Sequence, residues 1–519
     1  METAKKLLQE IRSGNIKNVE QLELAKIKAA EGKQLIKNSD IASLLSKEDS
    51  DYQQINSMLR IKNVRTASGV ANIAVMWLHE THENSCPAKC IYCPQGQEQD
   101  AFGVLHAIAP KSYTGVEPTT LRAIRNDYDP YKQVVNRIKQ LNIIGHSTDK
   151  CELIIMGGTF MATPVEFQNN FVKRCLDAFN GTDSESLEEA QKINETTKNR
   201  CIGLTIETRA DFCTQKQIEQ MLRLGCTRVE IGIQSTDDEL LKITKRGHNT
   251  RANIDAIKRL KDNGLKACVH WMPGLTGIYG AIDEQKEIEM FRILFENPSY
   301  MPDELKIYPT LVIPGTELHK LWTKGKYTPL AEEQMIQLLI EFKKIVPPFV
   351  RIKRVMRDIS EHKAEAGAKT TNLRQLAKIR MDAAGIECRC IRCREVGHTR
   401  TEGEIKLKRI EYEASGGEEI FLSYESNNAL FGFLRLRIDS TDIAKIRELH
   451  VYGNVVPISK KDENWQHKGL GKRLMEQAEM IVKELDKTKI TVTSGIGARS
   501  YYKKLGYVFE APYMAKQLQ

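Results

Sequence analysis

The chain has 519 residues, which is too long for one hydrophobic core, so two to four domains are expected. Its 41% hydrophobic and 28% charged residues are typical of a globular protein, and no run of about 18 or more apolar residues predicts a membrane span. The first residues, METAKKLLQEIRSGNIKNVEQ, lack the apolar core of a secretion signal, so we expect a cytoplasmic protein.

The positive charge is unevenly distributed along the chain. The formal net charge is +9, and residues 343–410 contain 18 Lys and Arg but only 8 Asp and Glu, a net of +10. A solvated, salt-bridged surface explains most charge runs. A single basic connector between domains favours a polyanionic partner such as nucleic acid.

Residues 1–60 place apolar residues at helical spacing among many lysines, so we expect a basic helical segment over residues 1–70. Short apolar runs then alternate with amphipathic helical stretches, which predicts parallel βα units. Six such units indicate a partial or full (β/α) barrel over residues 71–345, with its chemistry at the C-terminal strand ends. The six runs are NIAVMWLHE, CELIIMGGTF, CIGLTIETRAD, RVEIGIQS, KACVHWMPGL and ELKIYPTLV.

A different pattern begins near residue 405. RIEYEA, IFLSYES, LFGFLRLRI and IRELHVYG predict an antiparallel sheet, and WQHKGLGKRLMEQAEMIVKEL predicts a glycine-rich turn that opens a helix. We therefore expect a basic linker at 346–400 and an α/β domain at 401–519.

The 12 cysteines form two tight clusters plus scattered single residues, which favours metal binding in a reducing compartment over a disulfide framework. Cys86, Cys90 and Cys93 follow the first predicted strand in C-x3-C-x2-C spacing. Three thiolates on one loop suit three irons of a four-iron cluster, whose fourth iron stays open for a ligand. A zinc knuckle completed by His79 or His82 is the alternative.

This cysteine spacing after the first strand of a barrel resembles that of the radical SAM enzymes. The resemblance implies a 4Fe-4S cluster and bound S-adenosylmethionine. Polar residues in MGGTF, IETRAD and GIQS, at the ends of later strands, agree with it. It assigns to the S-adenosylmethionine site Gly157, Gly158, Glu207, Arg209 and Gln234.

The segment QHKGLGKR matches the Q-x-x-G-x-G signature of the GNAT acetyltransferases. Its glycines let backbone N–H groups approach a pyrophosphate at a helix N-terminus. SGIGARSYYKKLGY resembles the last strand and helix of the same fold, so the C-terminal domain is expected to bind acetyl-CoA.

A radical SAM barrel followed by a GNAT domain resembles the family of the Elongator catalytic subunit over about residues 60–519. SYTGVEPTTLRAIRNDYDPY, IIMGGTFMATP, YPTLVIPGTEL and RELHVYGNVVP carry the resemblance. CPQGQ stands where many members have C-P-G-G-P, and the first two cysteines are closer than in many eukaryotic members. Both departures favour a prokaryotic, archaeal member.

The resemblance implies that the wobble uridine of transfer RNA is carboxymethylated at carbon 5. A deoxyadenosyl radical takes hydrogen from the acetyl methyl of acetyl-CoA, the acetyl radical adds to uridine, and the thioester is hydrolysed. Both domains would hold acetyl-CoA, with Lys150 and Tyr502 as catalytic residues. The implied acetyl-CoA contacts are Lys150, Glu448, Leu449, His450, Val451, Gly469, Leu470, Gly471, Lys472 and Tyr502.

The second cysteine cluster, CRCIRC, lies in the basic linker, and only some family members keep it. We expect Cys388, Cys390 and Cys393 to form a structural zinc site that clamps the two domains. The fourth ligand could be His362, His398 or Asp358, and free cysteines in a loop are the alternative.

The anticodon stem-loop of transfer RNA is the expected polyanionic partner. Lys and Arg of the N-terminal segment and of residues 343–410 would contact its phosphates. His270 and Trp271 are candidates for lining the pocket of a splayed uridine, although simple packing would explain at least one of them. The sequence does not decide whether the protein binds Elongator-like subunits or associates with itself.

Two other functions compete with this hypothesis. A protein lysine acetyltransferase with a structural iron–sulfur cluster needs an acceptor channel and a general base near the acetyl group. It leaves the polar strand ends unexplained. A non-catalytic RNA-binding scaffold leaves both cofactor sites idle.

Overall fold

The computed structural model describes residues 2–30, 38–42, 44–46, 48–59, 69–78, 86–99, 105–396, 403–452 and 469–518. It contains a helical N-terminal unit and two seven-stranded sheets. None of the helices in these ranges is both long and apolar enough to cross a membrane.

The N-terminal unit has its own small core. Leu7, Leu8 and Ile11 on one face of the first helix pack with Leu22 and Ile41. The helical prediction for this segment is therefore confirmed where the structure describes it. Its helices are α1 (Glu2–Arg12), α2 (Val19–Ala30), α3 (Asn38–Ala42) and α4 (Tyr52–Leu59).

The first sheet is a parallel half-barrel in which each strand pairs with the next one along the chain. Its order is β1-β4-β5-β6-β7-β8-β9, and β2 and β3 form a separate hairpin. The strands are β1 (Ala71–Met76), β2 (Gln97–Gln99), β3 (Leu105–Ala107), β4 (Lys150–Met156), β5 (Arg200–Thr208), β6 (Arg228–Gln234), β7 (Lys266–Trp271), β8 (Glu304–Ile307) and β9 (Arg351–Val355).

Helices fill the connections between these strands, as the βα pattern predicts. They are α5 (Pro118–Ile124), α6 (Pro130–Ile143), α7 (Val165–Asn180), α8 (Leu187–Asn194), α9 (Gln215–Arg223), α10 (Asp238–Ile243), α11 (Thr250–Asp262), α12 (Glu284–Glu296), α13 (Glu317–Thr323) and α14 (Glu332–Ile345). Beyond β9 follow α15 (Leu373–Ala383) and α16 (Ile391–Arg394).

The strand β9 corrects the expected end of the barrel at residue 345. Its sequence, RIKRV, has basic residues at positions 351, 353 and 354 and no apolar run, so the sequence does not predict a buried strand there. The basic side chains are tolerated because Arg351 pairs with Glu395 at 2.8 Å and Lys353 lies 3.6 Å from Glu304. The half-barrel sheet thus extends into the expected linker.

The second sheet has the order β10-β11-β12-β13-β14-β16-β15. Its first four strands are antiparallel, as predicted, and β13 pairs with β14 in parallel. Its elements are β10 (Lys406–Ala414), β11 (Gly417–Ser426), β12 (Ala429–Ile438), β13 (Ile443–Val451), α17 (Leu470–Glu484), β14 (Lys489–Val492), α18 (Arg499–Lys503), β15 (Val508–Glu510) and β16 (Tyr513–Gln517).

Fully buried ion pairs join the two domains. Arg447 of β13 binds both carboxylate oxygens of Asp303, which precedes β8, at 2.6 and 2.8 Å. Arg447 also binds Glu419 of β11 at 2.7 Å, and Lys261 of α11 lies 3.2 Å from Asp303. Charged side chains that are buried away from water are stable only when they are paired in this way.

Candidate active site

The three cysteines of the first cluster share one pocket at the C-terminal ends of the half-barrel strands. Cys86, Cys90 and Cys93 lie on the loop after β1. The polar residues that complete the pocket come from the loops and ends of several strands, where the chemistry of βα barrels gathers. They include Lys111, Ser112, Gly158, Thr159, Glu207, Thr208, Arg209, Gln234, Arg246, His270, Tyr308 and Arg357.

The spacing of the three thiols suits a cluster better than a single ion. A tetrahedral zinc bound at about 2.3 Å requires sulfur atoms roughly 3.8 Å apart. The Sγ atoms of Cys86, Cys90 and Cys93 do not all lie within 4.8 Å of one another, although those of the second cysteine cluster do. A four-iron cluster binds each cysteine through a different iron, so it does not require the sulfur atoms to lie so close together.

Each thiol of this pocket also has a polar neighbour. Thr159 donates to Cys86 Sγ at 3.3 Å, and Ser112 lies 3.3 Å from Cys93 Sγ. Burial, together with the adjacent Cys90, raises the pKa of Cys93 to about 11. A bound cation would offset that effect and keep the group as a thiolate.

The expected S-adenosylmethionine residues lie in or beside the same pocket. Gly157 and Gly158 have positive φ values, and a side chain at Gly157 would meet the Trp77 ring at 2.7 Å. Glu207 accepts a hydrogen bond from Tyr113 at 2.8 Å and faces the N–H of Gly157 at 3.4 Å. The glycine pair is therefore required by a turn that brings backbone N–H groups to a carboxylate.

Two further residues of this site present polar atoms without a hydrogen-bond partner among the described residues. Arg209 binds Asp211 at 2.8 and 2.6 Å, while its buried Nη1 atom has no partner in the part of the chain that the structure describes. Within the same ranges, the buried Oε1 of Gln234 also has none. Orphaned buried polar atoms are rare in native proteins, so they fit a polar ligand such as S-adenosylmethionine.

His270 and Trp271 have different environments. His270 lines the pocket, lies 3.2 Å from Glu230 and packs edge-on against Tyr308. Trp271 is fully buried against Phe291 and belongs to the barrel core. Successive residues of a strand point to opposite faces, so only His270 can reach the pocket.

A second cleft, with a volume of about 510 Å³, lies between the two domains. The C-terminal domain contributes the end of β13, the N-terminus of α17 and part of α18. The expected acetyl-CoA residues that line it are Lys150, Glu448, Leu449, His450, Val451, Gly469, Gly471, Lys472 and Tyr502. Leu470 is an exception, because its side chain is buried in the core of the C-terminal domain beside Leu474.

The barrel contributes basic residues to this cleft that we did not predict. Arg200 begins β5 and Lys266 begins β7, as Lys150 begins β4. A signal was present, since these strands each open with Lys or Arg after a polar turn. A rim of three cations suits the phosphates of coenzyme A.

The carboxylate of Glu448 in this cleft is paired with cations. Glu448 binds Arg435 at 2.9 Å and lies 3.6 Å from Lys266. Although burial opposes ionisation, Lys266 and Arg435 hold the pKa of Glu448 well below its usual range. Burial lowers the pKa of His450 to about 4. Neither group is therefore a strong base near neutral pH.

Comparison with known proteins agrees with both halves of the site. Family models match the radical SAM superfamily at residues 81–287, the radical SAM C-terminal domain at 302–383 and the acetyltransferase (GNAT) domain at 395–517. The tRNA uridine(34) acetyltransferase of Methanocaldococcus jannaschii is 48% identical over 93% of this chain and 90% of its own length. Elongator complex protein 3 of Homo sapiens is 43% identical over 89% of this chain and 86% of its own length.

The chain belongs to the Elongator complex protein 3 family. A solved structure of archaeal Elp3 from Methanocaldococcus infernus, with residues 1–46 deleted, has a TM-score of 0.74 and 44% identity to it. That alignment covers 87% of this chain and all of the solved chain. The predicted half-barrel followed by a GNAT domain is thus confirmed.

The second cysteine cluster of this family member lies beside β9 and the end of α14. The Sγ atoms of Cys388, Cys390 and Cys393 lie within 4.8 Å of one another, and Lys343 lies 3.5 Å from Cys393. Such close thiols fit one tetrahedral ion. Among the described residues, neither His362 nor Asp358 joins the group, and Asp358 instead pairs with Arg354. His398 lies outside the described residues, as do His79, His82 and the glutamine of the GNAT signature.

Proposed function

We propose that this protein modifies carbon 5 of the wobble uridine in transfer RNA with a group derived from acetyl-CoA. The observation that carries the proposal is that one chain holds both a three-cysteine pocket and a cleft lined by the barrel and the GNAT domain. Archaeal relatives that share 48% identity over most of the chain are named tRNA uridine(34) acetyltransferases. The expected product carries a carboxymethyl group, left when the thioester is hydrolysed.

The cofactor residues have separate roles in this proposal. When bound, a four-iron cluster with S-adenosylmethionine supplies radical chemistry that can activate the acetyl methyl group for addition to uridine. Cys86, Cys90 and Cys93 would hold the cluster. Glu207 and the orphaned atoms of Arg209 and Gln234 would orient the second cofactor, and the deep pocket would limit access of water.

Acetyl-CoA would be held at the domain boundary. Lys150, Arg200 and Lys266 offer cations to its phosphates from the barrel side. The N-terminus of α17 faces the same cleft with Gly469 and Gly471, where backbone N–H groups and the helix dipole favour an anion. Tyr502 would complete the cleft from α18.

The uridine would enter beside the cysteine pocket. A neighbouring pocket shares Glu207, Tyr308 and Arg357 with it and adds Tyr113 and Arg354. Aromatic rings can stack on an unpaired base, and guanidinium groups can hold the adjacent phosphates. Arg357 already donates to the carbonyl of Ser112 at 2.6 Å, so its position is set.

Only part of the basic linker is free to contact RNA in this proposal. Arg351 and Lys353 face carboxylates inside the protein, and Arg394 pairs with Glu425 at 2.7 Å. The exposed helix α15 keeps Lys378 and Arg380 at the surface, each paired with one carboxylate. We propose that α15 and the N-terminal helices supply the phosphate contacts.

A zinc ion at Cys388, Cys390 and Cys393 would stabilise the end of the half-barrel. The site is adjacent to β9, where Ile391 donates its backbone N–H to the carbonyl of Val350. Arg394 of the same turn reaches Glu425 of the C-terminal domain. Binding of a metal there would therefore hold the segment that joins the domains.

The competing acetylation of a lysine receives less support from the cleft. Such a transfer needs a base with a pKa near the working pH. Glu448 and His450, which line the cleft, are held as a paired carboxylate and a neutral imidazole of low basicity.

The deciding experiment incubates the iron-loaded protein anaerobically with transfer RNA, acetyl-CoA, S-adenosylmethionine and a reductant. We expect mass analysis of the nucleosides to show carboxymethyluridine only when all components are present. Acetylated lysines on added proteins, without a modified nucleoside, would contradict the proposal. An unmodified transfer RNA that still binds tightly would favour the scaffold.

A further inference from the structure

Arg246 is a buried cation at the cysteine pocket. It follows α10, is 6% exposed and lines the pocket with Cys90. Its Nη1 donates to Cys90 Sγ at 3.6 Å, and its Nε donates to the carbonyl of Gly232 at 3.1 Å. The guanidinium is thus held in one orientation by a backbone carbonyl of β6, with one edge turned to a cluster ligand.

Gly232 leaves room for the guanidinium of Arg246 beside β6. A side chain at Gly232 would place its Cβ atom 2.6 Å from Arg246 Nη2 and 2.5 Å from Gln234 Nε2. Real Cβ atoms do not come so close to other heavy atoms, so the side chains of Arg246 and Gln234 would have to move. The guanidinium therefore keeps this position only while residue 232 lacks a side chain.

The partners of Arg246 differ from those of the other buried arginines at the barrel. Arg209 pairs with Asp211, and Arg228 pairs with Glu304 at 2.7 Å. Within the described ranges, Arg246 has no carboxylate within 4.0 Å, and its Nη1 atom instead donates to Cys90 Sγ at 3.6 Å. A buried charge without a counter-charge is unfavourable. We therefore expect the thiolates of a bound cluster to supply the negative charge that the Arg246 guanidinium lacks.

We propose that Arg246 is a positioning residue that neutralises the Cys90 ligand and sets the reduction potential of the cluster. Reduction adds one electron, and therefore one negative charge, to the cluster. A cation hydrogen-bonded to a ligand sulfur stabilises the reduced form more than the oxidised form, which raises the potential. The inference rests on the proposed function only for the presence of the cluster.

The test compares reconstituted full-length Arg246→Met, Arg246→Lys and Lys245→Met by dithionite titration followed by electron paramagnetic resonance. Lys245→Met is the matched control, since it removes the adjacent positive charge from an exposed side chain paired with Glu317. We expect Arg246→Met to make reduction at least tenfold less favourable, a shift of about 59 mV to more negative potential. Arg246→Lys should shift less, and Lys245→Met should match the wild type.

Iron content and thermal unfolding of the metal-free proteins separate this role from a purely structural one. Loss of iron from Arg246→Met but not from Arg246→Lys, with unchanged melting of the metal-free forms, would support a charge requirement at Cys90. An unchanged potential in Arg246→Met, an equal shift in Lys245→Met, or early melting of both metal-free Arg246 variants would overturn the inference. A wild-type protein that takes up no iron would instead contradict the proposed function.

Discussion

In the proposed function, single charged residues at the strand starts set where acetyl-CoA would bind. Lys150 is half-buried at the first position of β4, and burial lowers the pKa of its ammonium group. Arg200 and Lys266 occupy the same position on β5 and β7. Because parallel strands start at one edge of the sheet, the three cations converge although they lie far apart in the sequence.

Lys150→Ala tests the contact of the barrel with acetyl-CoA. Losing a charge-assisted hydrogen bond costs roughly 1.5–3 kcal/mol, so we expect about tenfold or weaker affinity by calorimetry. Cleavage of S-adenosylmethionine should persist, because Lys150 lines the other cleft. Lys139→Ala, an exposed lysine of α6, is the control and should bind normally. Unchanged affinity in Lys150→Ala would contradict binding by both domains.

The two cysteine clusters should hold different metals independently. We expect Cys90→Ser to lose most of about four irons per chain while zinc stays bound. Cys388→Ser should lose zinc and keep the iron, because its close thiols suit one tetrahedral ion. Metal analysis of anaerobically purified protein checks both, and each variant controls for the other. Full iron retention in Cys90→Ser would exclude the assigned cluster site.

At the scale of the element, α17 presents its N-terminus to the cleft. Gly469 precedes the helix with φ at +74°, and Gly471 lies where a side chain would meet the Tyr501 hydroxyl at 3.0 Å. Gly469 permits the left-handed backbone that precedes the helix. Gly471 adds no side chain to the first turn of the helix, so this turn stays accessible from the cleft. This arrangement directs the N-terminus of α17 at the cleft, where an anionic ligand would be favoured.

Gly469→Ala should lower both the stability and the acetyl-CoA affinity of the protein. A left-handed conformation costs a non-glycine residue roughly 1–2 kcal/mol, and the added methyl group enters the cleft. Gly506→Ala is the matched control, since Gly506 has φ at +85° but does not line the cleft. Thermal unfolding and calorimetry should show similar losses of stability, with weaker binding in Gly469→Ala alone. Equal affinities would show that the turn is not part of the site.

At the scale of the whole molecule, the two sites lie at opposite ends of the half-barrel. Thr227 just before β6 lines the acetyl-CoA cleft, and Gln234 at the end of β6 lines the cysteine pocket. Seven residues of strand span about 23 Å. The interior between them contains ion pairs, including Arg228 with Glu304 and Lys306 with Glu230. In the proposed reaction, an acetyl group that reacts at the cluster would therefore have to cross a polar interior.

Asp303→Asn tests whether the buried ion pairs fix the two domains together. Asp303 and Arg447 are both completely buried, so removing the charge of Asp303 leaves Arg447 and Lys261 with Glu419 as their shared carboxylate, at a cost of roughly 3–5 kcal/mol. We expect a large loss in the free energy of unfolding by chemical denaturation. Lys378→Met breaks an exposed pair with Asp382 and should cost about 1 kcal/mol or less. Similar losses in the two variants would argue against a fixed boundary.

Local sequence patterns were sufficient to predict much of the fold. Strand–helix alternation, the C-x3-C-x2-C spacing and the glycine turn before α17 each depend on residues close in the sequence, because backbone periodicity and metal spacing are local properties. They predicted six of the seven half-barrel strands, the antiparallel start of the second sheet and both kinds of cofactor site. These patterns did not decide which way the side chains of Trp271 and Leu470 point, because that depends on burial in the assembled fold.

The sequence by itself determined the two domains, their order and the chemical types of the candidate ligands. Only the tertiary structure decided that β9 completes the half-barrel, because its charged side chains are stabilised by carboxylates from distant strands. It alone placed the acetyl-CoA cleft at the strand starts, and it alone brought Arg246 to Cys90 across 156 residues of chain. Pairing between residues far apart in the sequence has no periodic signature, so it becomes visible only when the sheet has assembled.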